Sequence, residues 1–208
     1  MNQEAKITRK EQEKEARKHD ILEIAAGIFS EKGFHNTTMD DIAERVGLAK
    51  GTIYLYYENK DNLFLSILMS KSQALYSQLE SAIAEEQEFL PCCRRFVESF
   101  LMFFHENEDF MRLIQSDKRR ISPEKHYQFH DYTQQAFNSL FGMTVRLIEL
   151  GQKQKILRKT KSLDMAKALI GVLYSFSFHH VFLGDETSIM KDADLIVDLF
   201  VHGASVKQ

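Results

Sequence analysis

Proline occurs only twice and glycine nine times in this chain of 208 residues. An all-β sandwich needs a turn about every 8–12 residues, so this scarcity of turn formers favours long helices over many short strands. Cysteine is nearly absent too. Cys92 and Cys93 are neighbours, and Cα atoms ~3.8 Å apart lie below the usual disulfide range. With no disulfide framework, a reducing, cytoplasmic setting is expected. No uninterrupted apolar run approaches the ~18 residues of a membrane span. The N-terminus is charged rather than apolar, so neither a signal peptide nor a membrane partner is expected. The formal net charge is -3, which excludes a molecule that is positive all over. Nucleic-acid binding would need basic residues focused locally. One such run holds Lys6, Arg9, Lys10, Lys14, Arg17 and Lys18, interleaved with Glu4, Glu11, Glu13 and Glu15. It reads equally well as a solvated chain end.

What is present is globular: 44% hydrophobic and 27% charged residues, enough for a sizeable core in one or two domains. Ile21, Ile24, Ala25, Ile28 and Phe29 recur at helical spacing within a helix expected over 11–32, which Gly33 ends. Thr38 can cap the next helix, with Asp41 as its capping-box partner. Ile42, Ala43 and Val46 give that helix its inner face, and Gly47 stops it. A second short helix is expected over 49–57. Asn59 caps a third, with Leu63, Phe64, Ile67, Leu68, Leu75, Leu79 and Ile83 on one stripe. Further helices are expected from Pro91, Asn107, Pro123 (running toward Gly151), Ser162 as a cap (ending near Gly184) and over 187–202. No strand pattern or internal repeat stands out, so the fold class is all-α.

The short helices have the offsets of a helix-turn-helix. A small residue, Ala43, sits where two helices would cross, and Gly47 follows four residues later where the turn goes left-handed. Ile42, Val46, Leu48 and Ile53 fill the apolar offsets. On the second helix Ile53 and Tyr57 can face the core, which leaves a cation, hydroxyls and a bare Gly51 outward. Phosphates and base edges ask for that mixture. Lys50 would neutralise phosphate. Tyr54 and Tyr56 would donate hydroxyl hydrogen bonds to phosphate, Thr52 would read a base edge and Leu55 would touch a thymine methyl. Gly51 allows close backbone approach. Lys60 would offer its charge and a helix N-terminus to the DNA backbone. Thr38, at the start of the first helix, joins the expected DNA contacts.

The stretches TTMDDIA (37–43), GLAKGTIYLYY (47–57) and NKDNLF (59–64) resemble the DNA-binding domain of the TetR family of bacterial transcriptional regulators. Tyr57 stands where that family commonly has Phe, so its hydroxyl needs a partner. The resemblance implies a non-enzymatic regulator, most simply a repressor. It implies an N-terminal three-helix DNA-binding domain over 1–59, with 1–12 a mobile arm. Residues 60–208 would form a helical ligand-binding and dimerisation domain. The expected partners are an operator in double-stranded DNA, an apolar or amphipathic small-molecule effector and a second copy. The last two long helices would form the dimer seam.

The second half is rich in phenylalanine: Phe96, Phe100, Phe103, Phe104, Phe110, Phe129, Phe137, Phe141, Phe176, Phe178 and Phe182. Aromatics at this spacing are commonly core, but they can also line a pocket. Phe100, Phe104, Met111, Phe137 and Tyr174 are the candidate lining, with His130 or Arg112 as a polar anchor. His126 and His130, at i and i+4, would suit a metal, although no acidic or cysteine partner stands at a diagnostic offset; His179 and His180 point apart. No cofactor is expected. Arg94 and Arg95 could lower the pKa of Cys92 or Cys93. No Gly-rich phosphate loop or nucleophile motif appears. Two alternatives remain: a DNA-bound interaction protein without a small ligand, and a helical metal-binding protein.

Overall fold

The computed structural model describes residues 9–84, 87–115, 123–184 and 188–204, with the side chains of 10, 123–129 and 204 left aside. Among them are nine helices and no strand: α1 (Arg9–Lys32), α2 (Met39–Val46), α3 (Lys50–Ile53), α4 (Lys60–Ala84), α5 (Phe89–Glu106), α6 (Glu108–Gln115), α7 (Pro123–Lys153), α8 (Ser162–Leu183) and α9 (Ile189–Ala204). Helix α1 begins at Arg9, inside the stretch expected as an arm.

An N-terminal head is built from α1–α3 and the start of α4. Ile21, Ala25, Ile28 and Phe29 are buried along one face of α1. Gly33, at φ 79, ends that helix and turns Phe34 inward. The Phe34 ring meets Phe29 at 5.5 Å and Phe64 of α4 at 5.2 Å between centroids. Thr38 caps α2 with the expected reciprocal box: its hydroxyl accepts from the Asp41 N–H, while the Asp41 carboxylate accepts from the Thr38 N–H at 2.7 Å. Gly47 closes α2 in the left-handed conformation, at φ 75, where a Cβ would be strained. The Leu48 N–H then returns to the Ala43 carbonyl at 2.8 Å.

The second short helix is briefer than its pattern suggests. Regular α-helix covers Lys50–Ile53 only. It continues as a tighter turn, with Leu55 N–H donating to Thr52 O and Tyr56 N–H to Ile53 O, at 3.1 and 3.0 Å. Gly51, Thr52 and Ile53 are weak helix formers and three tyrosines follow, so nothing local sustains a longer α-helix.

Helix α4 starts with the Asn59 side chain accepting from Asn62 N–H at 2.8 Å. It runs unbroken from the head, where Leu63 and Phe64 are buried, into the body, where Leu75 and Leu79 are buried. In the body α5 is central and packs on α4, α7, α8 and α9; α6 lies against α1, α5 and α8. Gly151 does not end α7 but lies within it. A Cβ there would come 2.8 Å from Leu157 and Phe89 side-chain atoms, so glycine allows that close approach. Ser162 is not a cap: Lys161 occupies that position, and the Ser162 hydroxyl donates to Gln152 Oε1 at 3.1 Å. Helix α8 is long and apolar enough, by length and composition alone, to cross a membrane, with a third of that window buried here. The sequence had shown no uninterrupted run because single polar residues divide it. Exposed apolar side chains mark its outer side (Leu163, Val172, Phe178, Leu183), as do Leu195 and Leu199 on α9.

Candidate nucleic-acid interface

The outer surface of the α3 segment is formed as its pattern requires. Ile53 and Tyr57 are buried, while Lys50, Gly51, Tyr54 and Leu55 are exposed and Thr52 and Tyr56 are half-buried. Leu55 is 79% exposed, more than its own packing explains. Nothing lies within 4 Å of where a Cβ of Gly51 would stand. Thr38 is exposed as well. The Tyr57 hydroxyl finds its partner in the Lys18 carbonyl, at 3.4 Å, and burial pushes its pKa up to about 12.

Two lysines depart from the expected arrangement. Lys50 is paired with Asp40 of α2, Nζ to Oδ2 at 2.5 Å. That hydrogen bond and charge raise the ammonium pKa. Lys60 faces inward. Its ammonium donates to Phe34 O at 2.6 Å and Thr37 O at 2.7 Å, and it lies 4.5 Å from the Phe34 ring centroid. Burial lowers its pKa. Lys60 therefore holds the 34–37 turn against the α4 start and is not a free charge for phosphate. In the basic run, Arg9 pairs with Glu13 and Lys18 with Glu15. Lys14 and Arg17 are exposed.

In the body, Phe100, Phe104 and Met111 are buried. Phe100 meets Phe104 at 5.0 Å and Tyr174 of α8 at 5.3 Å, and Phe104 stacks on Phe110 at 6.0 Å. Phe137 and His130 do not join them. Phe137 is 46% exposed against Phe141, and His130 is exposed; both point out from α7. Arg112 is held by α8: it donates to Val181 O at 2.8 Å and covers the Phe182 ring. The His126 side chain lies outside the described residues, as does that of Phe129. Among the described residues no three His, Cys, Asp or Glu side chains gather as a metal site. Cys92 and Cys93 are buried. Burial, then the neighbouring Cys92, pushes the Cys93 thiol up to about 12, opposite to the expected activation. Arg94 instead serves Glu98 and Asp194.

Sequence reasoning missed Asp40, Lys71 and Arg112 in their observed roles. Each acts across 10 or more residues of chain, beyond the i,i+4 spacing by which a helix pattern reveals pairs.

The family model described as "Bacterial regulatory proteins, tetR family" matches residues 21–67, the segment that carries this geometry. Over those residues the chain matches the TetR family. It is 26% identical over 133 residues to the HTH-type transcriptional activator FasR of Mycolicibacterium smegmatis, covering 64% of this chain and 61% of that protein. It is 23% identical over 132 residues to the fatty acid metabolism regulator protein of Bacillus subtilis, covering 64% and 68%. The likeness of fold extends through the body: the structure of FadR from Bacillus subtilis in complex with stearoyl-CoA superposes with a TM-score of 0.76 at 18% identity, covering 89% of this chain and 98% of that one.

Proposed function

We propose that this protein is a transcriptional repressor that binds a palindromic operator as a dimer and is released by a long-chain acyl compound. The observation that carries the DNA half is the outer face of exposed Lys50, Gly51, Tyr54 and Leu55 with half-buried Thr52 and Tyr56, on a helix-turn-helix whose first helix, α2, is capped by Thr38. The assigned roles are phosphate contacts from Lys50, Tyr54 and Tyr56, base reading by Thr52, and methyl contact by Leu55. Thr38 and the start of α4 flank them. One short recognition element touches few bases, so two copies related by a two-fold axis are needed for useful specificity. The apolar outer side of α8 and α9 is the seam that joins them.

Repression follows from occupancy of promoter DNA alone. The ring cluster of Phe100, Phe104, Phe110 and Tyr174, with Met111, is the place for an apolar chain. The names of two proteins similar to this chain, the fatty acid metabolism regulator protein of Bacillus subtilis and FadR in complex with stearoyl-CoA, support an acyl effector. A ligand acts only if it favours a conformation whose heads fit the operator poorly. Helix α4, spanning head and body, is the lever.

The test is to titrate stearoyl-CoA, and separately free fatty acid, against the protein with and without operator. Ligand and operator should weaken each other by the same factor. Equal affinity in both titrations, for a ligand shown to occupy the body, rules out induction by it and favours a DNA-bound interaction protein.

A further inference from the structure

A second polar junction lies away from the DNA-facing surface. Lys71 is on α4, beyond the head, and its side chain is only 14% exposed. Its ammonium reaches Glu23 of α1 at 2.6 Å and Asn107, between α5 and α6, at 2.8 Å. The Asn107 amide is fixed in turn, donating to the Phe103 carbonyl at 2.8 Å. Three parts therefore meet on one cation: α1 of the head, the α4 lever and the α5–α6 corner of the body. The junction borders an open cleft of about 320 Å³ that Ala26, His105 and Asp109 also line. A Cβ on Gly27 of α1 would stand 3.5 Å from Asp109 Oδ2 of α6, and α6 is tied onward to α8 by Arg112.

We propose that Lys71 is a specificity-determining residue for operator half-site spacing. This inference rests on the dimeric DNA-binding reading above. The head is otherwise joined to the body by the single continuous helix α4 and by the packing of α1 on α6. A part-buried ammonium shared between a carboxylate and an amide has few alternative geometries, because moving α1 would take away its one charged partner among the described residues, Glu23, and leave only the Asn107 amide oxygen. The junction thus sets where each head stands relative to the body. Through the dimer seam it sets the distance and rotation between the two recognition elements. One base pair of spacer changes half-site separation by about 3.4 Å and the facing angle by about 35°. A rigid pair of heads penalises that mismatch, and a loosely hinged pair accommodates it.

The experiment measures binding of the full chain to duplexes carrying the selected operator with its spacer lengthened or shortened by one and two base pairs. The wild type is expected to lose about tenfold or more per base pair, within the range of couplings between packed elements. Lys71→Met and Glu23→Gln should each flatten that profile to about threefold or less, while preferring the same bases within each half-site. The double variant should be no flatter than Lys71→Met, since both remove one interaction. If Lys71→Met does not fold, Glu23→Gln, which keeps the contact to Asn107, provides the readout. Spacer profiles parallel to the wild type in folded variants would overturn the proposal. Failure of the wild type to bind any operator would instead sink the DNA-binding reading.

Discussion

The Lys50 ammonium lies 2.5 Å from the Asp40 carboxylate, ten residues back on the preceding helix. The cation offered to a phosphate is already engaged, and the carboxylate that engages it would repel that phosphate. Asp40→Asn should therefore strengthen binding to any duplex, by about two- to fivefold at low salt for an exposed pair, and less at high salt. Fluorescence anisotropy on a selected and a random duplex measures it. Weaker binding by the variant would mean that the pair orients Lys50 rather than competing for it.

Roles within the α3 segment separate by kind of effect. Lys50→Ala and Tyr56→Phe should weaken binding to all sequences. Thr52→Ala and Leu55→Ala should change which bases are preferred, losing ~1–3 kcal/mol at the affected pair. Binding-site selection with each variant reads this out; an unchanged consensus for both removes their base-reading role.

Lys60 should behave as a structural residue. Lys60→Met leaves the Phe34 and Thr37 carbonyls without their charged donor and should cost about 1.5–3 kcal/mol of stability, measured by urea denaturation. Unchanged stability, with a salt dependence of DNA binding reduced by about one phosphate contact, would return Lys60 to the interface.

The capping box gives a pH signature. The Thr38 hydroxyl, then its N–H, hold the Asp41 carboxyl below its ordinary value of 3.8. A carboxyl whose pKa is depressed on folding contributes stability above its unfolded-state value, and that contribution is lost as pH falls through the folded value. Urea midpoints of wild type and Asp41→Asn should differ by a constant amount above about pH 5 and converge below about pH 4. A difference that does not change with pH would mean the carboxyl is not perturbed. Thr38→Ala should cost about 1 kcal/mol.

In the body, Phe104 is buried between Phe100, Phe103 and Phe110. Phe104→Ala should cost about 3–5 kcal/mol. If the acyl reading holds, stearoyl-CoA should bind this variant with altered affinity and raise its melting temperature by occupying the space. A cost below ~1 kcal/mol would show the ring to be dispensable to the core.

Much of the head was legible because its signals are local. The cap at Thr38, the left-handed Gly47, the buried Ile53 and the outward Leu55 all follow from spacing and backbone sterics. The length of α3 was not, since the periodicity of 49–57 does not distinguish an α-helix from a tighter turn. Lys60 misled because its sequence neighbours do not reveal the carbonyls of residues 34–37, which the α1–α2 turn brings to it. In the body, helical spacing marked phenylalanines but not their facing. Phe104 turned into the core and Phe137 out of it, a difference decided by which neighbour each helix packs on. Tertiary ties such as Lys71 to Glu23, 48 residues apart, leave no trace in local pattern.

The most direct test is selection from random duplex DNA with the purified full chain, followed by measurement of stoichiometry on the recovered sequence. The account predicts an inverted repeat bound by two chains with half-sites about one helical turn apart or slightly more, with affinity falling steeply as salt rises. Recovery of no sequence above the random background, or binding of one chain to a lone half-site as tight as to the whole repeat, would contradict it.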